Sequence, residues 1–397
     1  MSWSETRFES LYAEPSRNGV YKPKEHHGRG TKIVNMGELF AYEFIGQQEM
    51  SRLEMSDHEL EKSGLQDGDL LFGRRSLVEA GAGKCSIVEG VDEPMTFESS
   101  MIRARLDPSR CEPRFYYYWF RSPQGRGRIR SIVSGTNVKG IRGSDLKNLP
   151  VVQPDFSTQC RVVETLRAYD DLIENNRRRI ALLEEAARLL YREWFVHLRF
   201  PGHEHARIID GLPKGWERRR LIDLADVAMG QSPKSQFYND SGDGLPFHQG
   251  VTDYGFRFVS HRKYSTKVTK IAEAGDILLS VRAPVGRINI TPDKIVLGRG
   301  LSAIRSRTGE QSFLFYALRN HFYAEDIIGS GAIYAATNKK ELESQELLVP
   351  SNVLQKEFDA AASTIDEQIA NLTTQNEKLA QARDLLLPRL MNGEIAV

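Results

Sequence analysis

Apolar residues recur every seven positions between about Phe156 and His197: Leu166, Ile173, Ile180, Ala187 and Trp194, with Tyr169, Leu183 and Leu190 three places further on in their heptads. A seven-residue apolar repeat makes the seam of a coiled coil, because slight underwinding keeps such a stripe facing a partner helix. Charged residues, among them Glu174, Arg177, Arg178, Arg179, Glu184, Glu185 and Arg188, fill the positions between, and neither Pro nor Gly interrupts the run before Pro201. At 1.5 Å per residue the pattern predicts a helix roughly 60 Å long. Such a seam needs a partner, and Phe358, Ile365, Leu372, Leu379 and Leu386 repeat at the same interval, with Ile369 and Asn376 between them. Pro388 is expected to stop this second helix. Asn176 and Asn376 fall in the two seams, where a polar residue fixes register at some cost in stability. The alternative is two amphipathic helices, each packed separately on its own domain.

The helices belong to a larger internal duplication. SGTNVKGIRGSDLKNLPVVQP, Ser134 to Pro154, precedes the first helix, and SGAIYAATNKKELESQELLVP, Ser330 to Pro350, precedes the second; the two align without a gap. Upstream, GDLLFGRR (Gly68 to Arg75) matches GDILLSVR (Gly275 to Arg282). The chain therefore reads as two copies of a globular domain followed by a helix. The boundaries are 1–155 for the first domain, 156–200 for the central helix, 201–350 for the second domain and 351–397 for the C-terminal helix.

Within each copy, short strand and helix patterns alternate, which implies an α+β domain. In the first, Pro15 to Gly30 reads as a Gly-rich loop, Lys32 to Val34, Leu70 to Phe72 and Ser86 to Val88 as strands, and Phe115 to Phe120 as the start of a helix ending at Ser122-Pro123. In the second, Gly211 to Pro233 reads as a turn, a short amphipathic segment and a loop; Asp276 to Val281 and Arg287 to Ile290 read as strands, and Ser312 to Asn320 as the matching helix. The fold class is α+β: two tandem-duplicated domains separated by two long helices that form an antiparallel coiled coil.

With 397 residues, 40% hydrophobic and 27% charged, the chain has the length and balance of a soluble protein of two ordinary domains plus helices. No export signal or membrane span is expected. Cys85, Cys111 and Cys160 lack metal-ligand or disulfide spacing, so a reducing cytoplasm fits best. The formal net charge of +1 hides local asymmetry: Arg121 to Lys147 holds seven basic residues against Asp145 alone, and Arg257 to Arg307 holds eleven against three acidic ones. Basic stretches interleaved with Tyr, Phe, Ser, Asn and Gly suit phosphate contact and base-edge hydrogen bonding. A solvated basic face is the plainer meaning of one such run, but here the runs occupy matching places in both copies.

Catalytic signatures are weak. Glu79 to Ser86 departs from a phosphate-binding loop at Val78 and Cys85, so a tight turn between strands explains Gly81 to Lys84 better. His203 and His205 sit in a hinge beside Pro201 and Gly202 with no supporting ligand cluster, and His26-His27 has no better support. No methyltransferase cofactor loop and no Asn/Asp-Pro-Pro-aromatic tetrapeptide is visible. A two-copy DNA reader of this kind needs catalytic partners.

LPKGWERRRLIDLADVAMGQSP, GDILLSVRAPVGRINI with LGRGLSAI downstream, ARLLYREWFVHLRFPGHE and LLLPRLMNGEI together resemble the specificity subunits of type I restriction-modification systems, over nearly the full length. The first copy departs most, since FESLYAEPSRNGVYKP only loosely parallels the second copy's opening. The resemblance implies a non-catalytic subunit with two target-recognition domains, each reading one half of a split double-stranded DNA target, and helices that set the gap. It implies two methyltransferase subunits and motor-nuclease restriction subunits as partners, with S-adenosylmethionine, ATP and Mg on those partners and no cofactor on this chain. Expected DNA-contacting residues are Arg74, Arg75, Lys139 and Arg142 in the first copy and Arg282, Arg287, Arg299, Lys339 and Lys340 in the second. Three other readings stay open: a coiled-coil scaffold with protein-binding ends, a nucleotide hydrolase or nuclease using the Gly81 to Lys84 loop, and a specificity subunit of a methylation-only complex.

Overall fold

A computed structural model of the chain describes residues 3–323 and 336–395. The first six residues of the second repeat segment, Ser330 to Ala335, lie outside these. The chain divides into two compact units, Met1–Asn176 with Thr374–Val397, and Arg177–Thr373. Each unit takes one segment of each long helix.

In the first unit, five strands lie in the order Tyr12–Asn18, Met101–Leu106, Leu70–Gly73, Cys85–Val88 and Phe44–Ile45, antiparallel except for the last pair. A second sheet joins Arg52–Leu53, His27–Val34 and Met95–Phe97. Glu5–Arg7 pairs antiparallel with Pro150–Val152, tying the start of the unit to the segment before the central helix. The FYYYWF run lies in a helix, Pro113–Arg121, whose first turn is set by Pro113 and whose six aromatic side chains are all buried. Ser122 ends it and caps the next helix, Pro123–Ile132, by accepting a hydrogen bond from Gly125 N at 3.2 Å.

Two expectations fail here. Pro15 to Gly30 is not a loop: Tyr12–Asn18 is a strand, and His27–Val34 begins another. Proline is tolerated because Tyr12–Asn18 is an edge strand whose register against Met101–Leu106 shifts between Arg103 and Leu106. Pro388 does not end the C-terminal helix, which runs from Asn352 to Met391. The proline forfeits one backbone bond, but the turn around it delivers Leu387, Leu390 and Met391 into the core of the first unit.

In the second unit, Ala225–Met229, Leu301–Ser306, Ile277–Ser280 and Ile288–Ile290 form an antiparallel sheet in that order. Tyr238–Asn239, Tyr264–Ser265, Leu245–His248, Ile295–Leu297 and Ile271–Ala272 form another. Glu217–Arg220 pairs with Glu346–Val349 as Glu5–Arg7 does with Pro150–Val152. The helix matching the aromatic one is Gln311–Tyr323.

The central helix, Phe156–Tyr191, starts at Asp155, whose carboxylate accepts from Thr158 N at 2.9 Å, and it ends in a π-helical turn at Arg192–Val196. Within each unit its segment runs antiparallel to that of the C-terminal helix. In the first, Asn176 Nδ2 donates to Asn376 Oδ1 at 3.0 Å, so the two seam asparagines meet. In the second, Ile180 packs with Ile369 and Leu372, and the rings of Tyr191 and Trp194 meet Phe358 at 5.6 and 5.9 Å. Leu166, Ile173, Ile180, Phe358 and Leu372 are buried; Leu183, Leu190, Trp194, Ile365, Leu379 and Leu386 are half-buried. The seam is not wholly apolar, since Asp170, Glu184 and Arg383 are buried as well.

Candidate nucleic-acid interface

In the first copy the buried strand Leu70–Gly73 emerges at Arg74 and Arg75. Arg75 and Ser76 pair antiparallel with Gly140 and Lys139, and Ile141 N donates to Arg74 O at 3.0 Å. A Cβ on Gly140 would stand 2.6 Å from Arg74 O, so this approach requires glycine. The ladder thereby gathers Arg74, Arg75 and Lys139, with Arg142 at the start of the short helix Gly143–Lys147. Arg75 and Arg142 are exposed, Arg74 and Lys139 half-buried, and none forms an ion pair among the described residues. Three others of the basic run are differently employed: Arg121, Arg128 and Lys147 pair with Glu43, Glu5 and Glu9 at 2.7, 2.7 and 3.3 Å.

The second copy repeats the ladder. Arg282 bridges Ala336, and Thr337 N donates to Val281 O at 2.9 Å. Ala336 and Gly140 occupy the same place in the two aligned repeat segments, as do Arg282 and Arg75. Arg287 lies across the following turn, its N–H donating to Ser280 Oγ at 2.9 Å. Lys339 and Lys340 open the short helix Lys339–Glu343, and both are exposed, but Lys339 pairs with Glu343 at 3.4 Å. Arg282 and Arg299 line one cavity of about 180 Å³ together with Gln249 and Ser280.

The eleven basic residues between Arg257 and Arg307 sort by partner. Arg257 pairs with Glu184, Arg262 with Asp253, Lys294 with Glu273, Arg305 with Asp276 and Arg307 with Asp226. Lys263, Lys267, Lys270, Arg282, Arg287 and Arg299 have no carboxylate partner among the described residues. A paired cation has already given its charge to a neighbour, whereas an unpaired exposed one can displace counterions from a phosphate backbone. The three lysines were absent from the sequence-derived set; their signal was the lack of any acid between Arg257 and Glu273.

Behind Gln249, His248 is fully buried. Its Nε2 meets His261 Nδ1 at 2.9 Å, its Nδ1 lies 3.6 Å from Asp253, and His261 Nε2 lies 3.1 Å from Asp293. Burial, reinforced by His261, pushes the His248 imidazole down to about 4, so it is neutral at physiological pH.

The other sequence candidates are taken up in local contacts. Lys84 donates its amine to Phe40 O at 2.6 Å and lies over the Phe40 ring, so the Gly81 to Lys84 turn does not present a free lysine. His203 and His205 lie in a single 3-10 turn, with His203 Nδ1 2.9 Å from Phe200 O; His26 pairs with Glu54 at 3.3 Å. Burial drives the Cys85 thiol well up, so it is inert. No helix among the described residues is long and apolar enough to cross a membrane.

The model of the type I restriction modification DNA specificity domain matches this chain twice, over residues 41–185 and 213–381. The chain belongs to the type I restriction-modification specificity family. Among curated members it is 29% identical over 357 residues to a putative type I restriction enzyme MjaX specificity subunit of Methanocaldococcus jannaschii, covering 87% of this chain and 82% of that protein. To the MjaIX specificity subunit of the same organism it is 23% identical, covering 95% and 89% of the two chains. The crystal structure of the type I restriction-modification system S subunit from M. genitalium is similar in fold, with a TM-score of 0.59 at 18% identity over 98% of this chain and 96% of that one. In this specificity-family chain, the two family matches each contain one of the basic ladders just described.

Proposed function

We propose that this chain is the non-catalytic, DNA-reading subunit of a type I restriction-modification assembly in the cytoplasm. Each globular copy takes one half of a split double-stranded target, and the paired helices set the gap. Methyltransferase subunits and motor-nuclease subunits supply the chemistry, so S-adenosylmethionine, ATP and Mg act on those partners and this chain carries no cofactor. The observation that carries this reading is the repeated ladder, Arg75 against Gly140 and Arg282 against Ala336, which presents arginines without acid partners at the same place in both copies. Phosphate contacts from such cations would position the duplex, and base edges would specify it.

The test is to co-express the chain with its methyltransferase partner and sequence the host DNA for modified adenines. Methylation at a two-part motif with a fixed gap is the expected result; absence of copurification together with absence of any motif overturns the reading. Lengthening both seams by one heptad adds roughly 10 Å of helix, and should widen the gap by about three base pairs at 3.4 Å per step. An unchanged gap would remove the spacer role while leaving the recognition role intact.

A further inference from the structure

We infer that the cavity bounded by Gln249, Arg282 and Arg299 is a base-reading site of the second copy, in which the Gln249 amide specifies an adenine. This rests on the DNA-reading function proposed above and deepens it to a named reader and base.

The argument begins with backbone rigidity. Gln249 is the first residue beyond a strand whose Phe247 and His248 pair in parallel with Val296 and Leu297. Gly298 N donates to His248 O at 2.8 Å and Gly300 N to Gln249 O at 3.1 Å, so its main chain is held on both sides. The fit admits only glycine: a Cβ on Gly300 would stand 2.2 Å from Gln249 O, and one on Gly298 2.6 Å from Gln249 Cα. Arg299 lies between those two glycines, its own N–H bonded to Ser232 Oγ at 3.1 Å, and Arg282 is held by its bridge to Ala336. Three long polar side chains thus project from fixed backbone, which lowers the ordering cost of contact.

Those side chains are also unspent. Gln249, Arg282 and Arg299 are exposed, and no described residue bonds the Gln249 amide or either guanidinium. The Ser280 hydroxyl, by contrast, is consumed within the turn, donating to Pro284 O at 2.6 Å and accepting from Arg287 N at 2.9 Å. The cavity lining contains no carboxylate. Two guanidiniums without an acid call for an electron-rich acceptor, which guanine O6 and N7 or a phosphate supplies. The amide adds what arginine lacks, a donor and an acceptor side by side, and in the major groove that pair matches adenine N7 and N6. Phosphate offers nothing to the amide's donor-acceptor pairing that it would not offer to a lysine.

The experiment uses the chain assembled with its methyltransferase partner and reads the methylated motif of wild type, Gln249→Ala and Gln249→Glu. Because the side chain is exposed and unbonded, these variants should melt with wild type. The expected result is that Gln249→Ala loses preference at a single position of one half-site, where wild type requires adenine, by about tenfold to a hundredfold. Gln249→Glu should move that position toward cytosine, whose N4 donates to a carboxylate. The other half-site should not change. An unaltered motif in Gln249→Ala overturns the base-reading role, and so does a uniform loss of affinity across all positions, which would mark a backbone contact. If wild type itself shows no two-part motif, the failure lies with the proposed function instead.

Discussion

Each unit fastens its globular part to the helices through a buried polar network, and the two networks begin alike. Tyr118 Oη donates to Asp170 on the central helix, and Tyr316 Oη to Asp366 on the C-terminal helix. The two aspartates hold the same place in the duplication, since Asp366 follows Asp170 by the interval that separates Ser330 from Ser134. From there the polarity reverses. In the first unit the central arginine is Arg383, on the C-terminal helix; it pairs with Asp170 at 2.5 Å and reaches Glu43 of the globular part at 3.3 Å, where Arg121 joins at 2.7 Å. In the second the central arginine is Arg257, on the globular part; it pairs with Asp366 and with Glu184 of the central helix, where Arg319 joins. The tyrosine–aspartate contact was kept across the duplication, while the central arginine moved from the helix to the globular part and the second carboxylate from the globular part to the helix. Arg121 and Arg319 stand three residues beyond the matched tyrosines, and each joins the carboxylate that the central arginine also holds, Glu43 on the globular part in one unit and Glu184 on the helix in the other.

The largest expected effect comes from removing the central arginines. Arg257→Ala leaves Glu184 and Asp366 without their shared cation, and should cost about 3–5 kcal/mol in urea unfolding. Arg383→Ala should cost somewhat less, because Glu43 is partly solvated, and adding Asp170→Asn should recover part of the loss. If both arginines proved dispensable within about 1 kcal/mol, the networks would be incidental to docking.

Acid should separate the two units next. His248 is held near 4 in the fold against 6.5 for the free side chain. The unfolded chain therefore binds the extra proton first, and stability that is complete above pH 6.5 is lost as pH falls toward 4, by about 3 kcal/mol in all. The first unit has no fully buried histidine among the described residues: His26 is half-buried, and His27 and His58 are exposed. Hydrogen exchange at pH 5 against pH 7.5 should show peptides around Leu245–His261 opening selectively, and His248→Gln should abolish the difference. Equal opening in both units would contradict the assignment.

The smallest effect is at the asparagine pair. Asn376→Ala should cost about 1 kcal/mol, the usual net worth of one hydrogen bond, whereas replacing both Asn176 and Asn376 by leucine should raise Tm. A lower Tm in the double leucine variant would show that the pair contributes more than register.

The heptads, the duplication and the aromatic helix were legible because each is a local periodicity or a repeated string. The strand at Tyr12–Asn18 was not, since its pairing depends on Met101–Leu106, far along the chain, and on a register shift that absorbs Pro15. Glu184 reads in sequence as one of the solvated charges beside the seam, yet it is buried, because Arg257 and Arg319 come to it from the globular part. The same distance hides the state of the basic face. Arg121 and Arg307 resemble Arg142 and Arg299 in sequence; only folding reveals that Glu43 and Asp226 have neutralised the former two. Gln249 carried no signal of its own, as its role depends on the glycines at 298 and 300 closing on it.

The first unit is built from two stretches far apart in the chain, with Leu387, Leu390 and Met391 completing a core begun by Phe8 and Leu11. The second unit is one uninterrupted stretch. On a ribosome the order of birth is therefore not the order of completion: residues 177–373 can settle while the earlier-made part waits for the last turns of the C-terminal helix. A nascent chain of this design carries an unfinished apolar surface from the emergence of Phe8 to that of Leu387, Leu390 and Met391, and chaperone demand should fall in that interval.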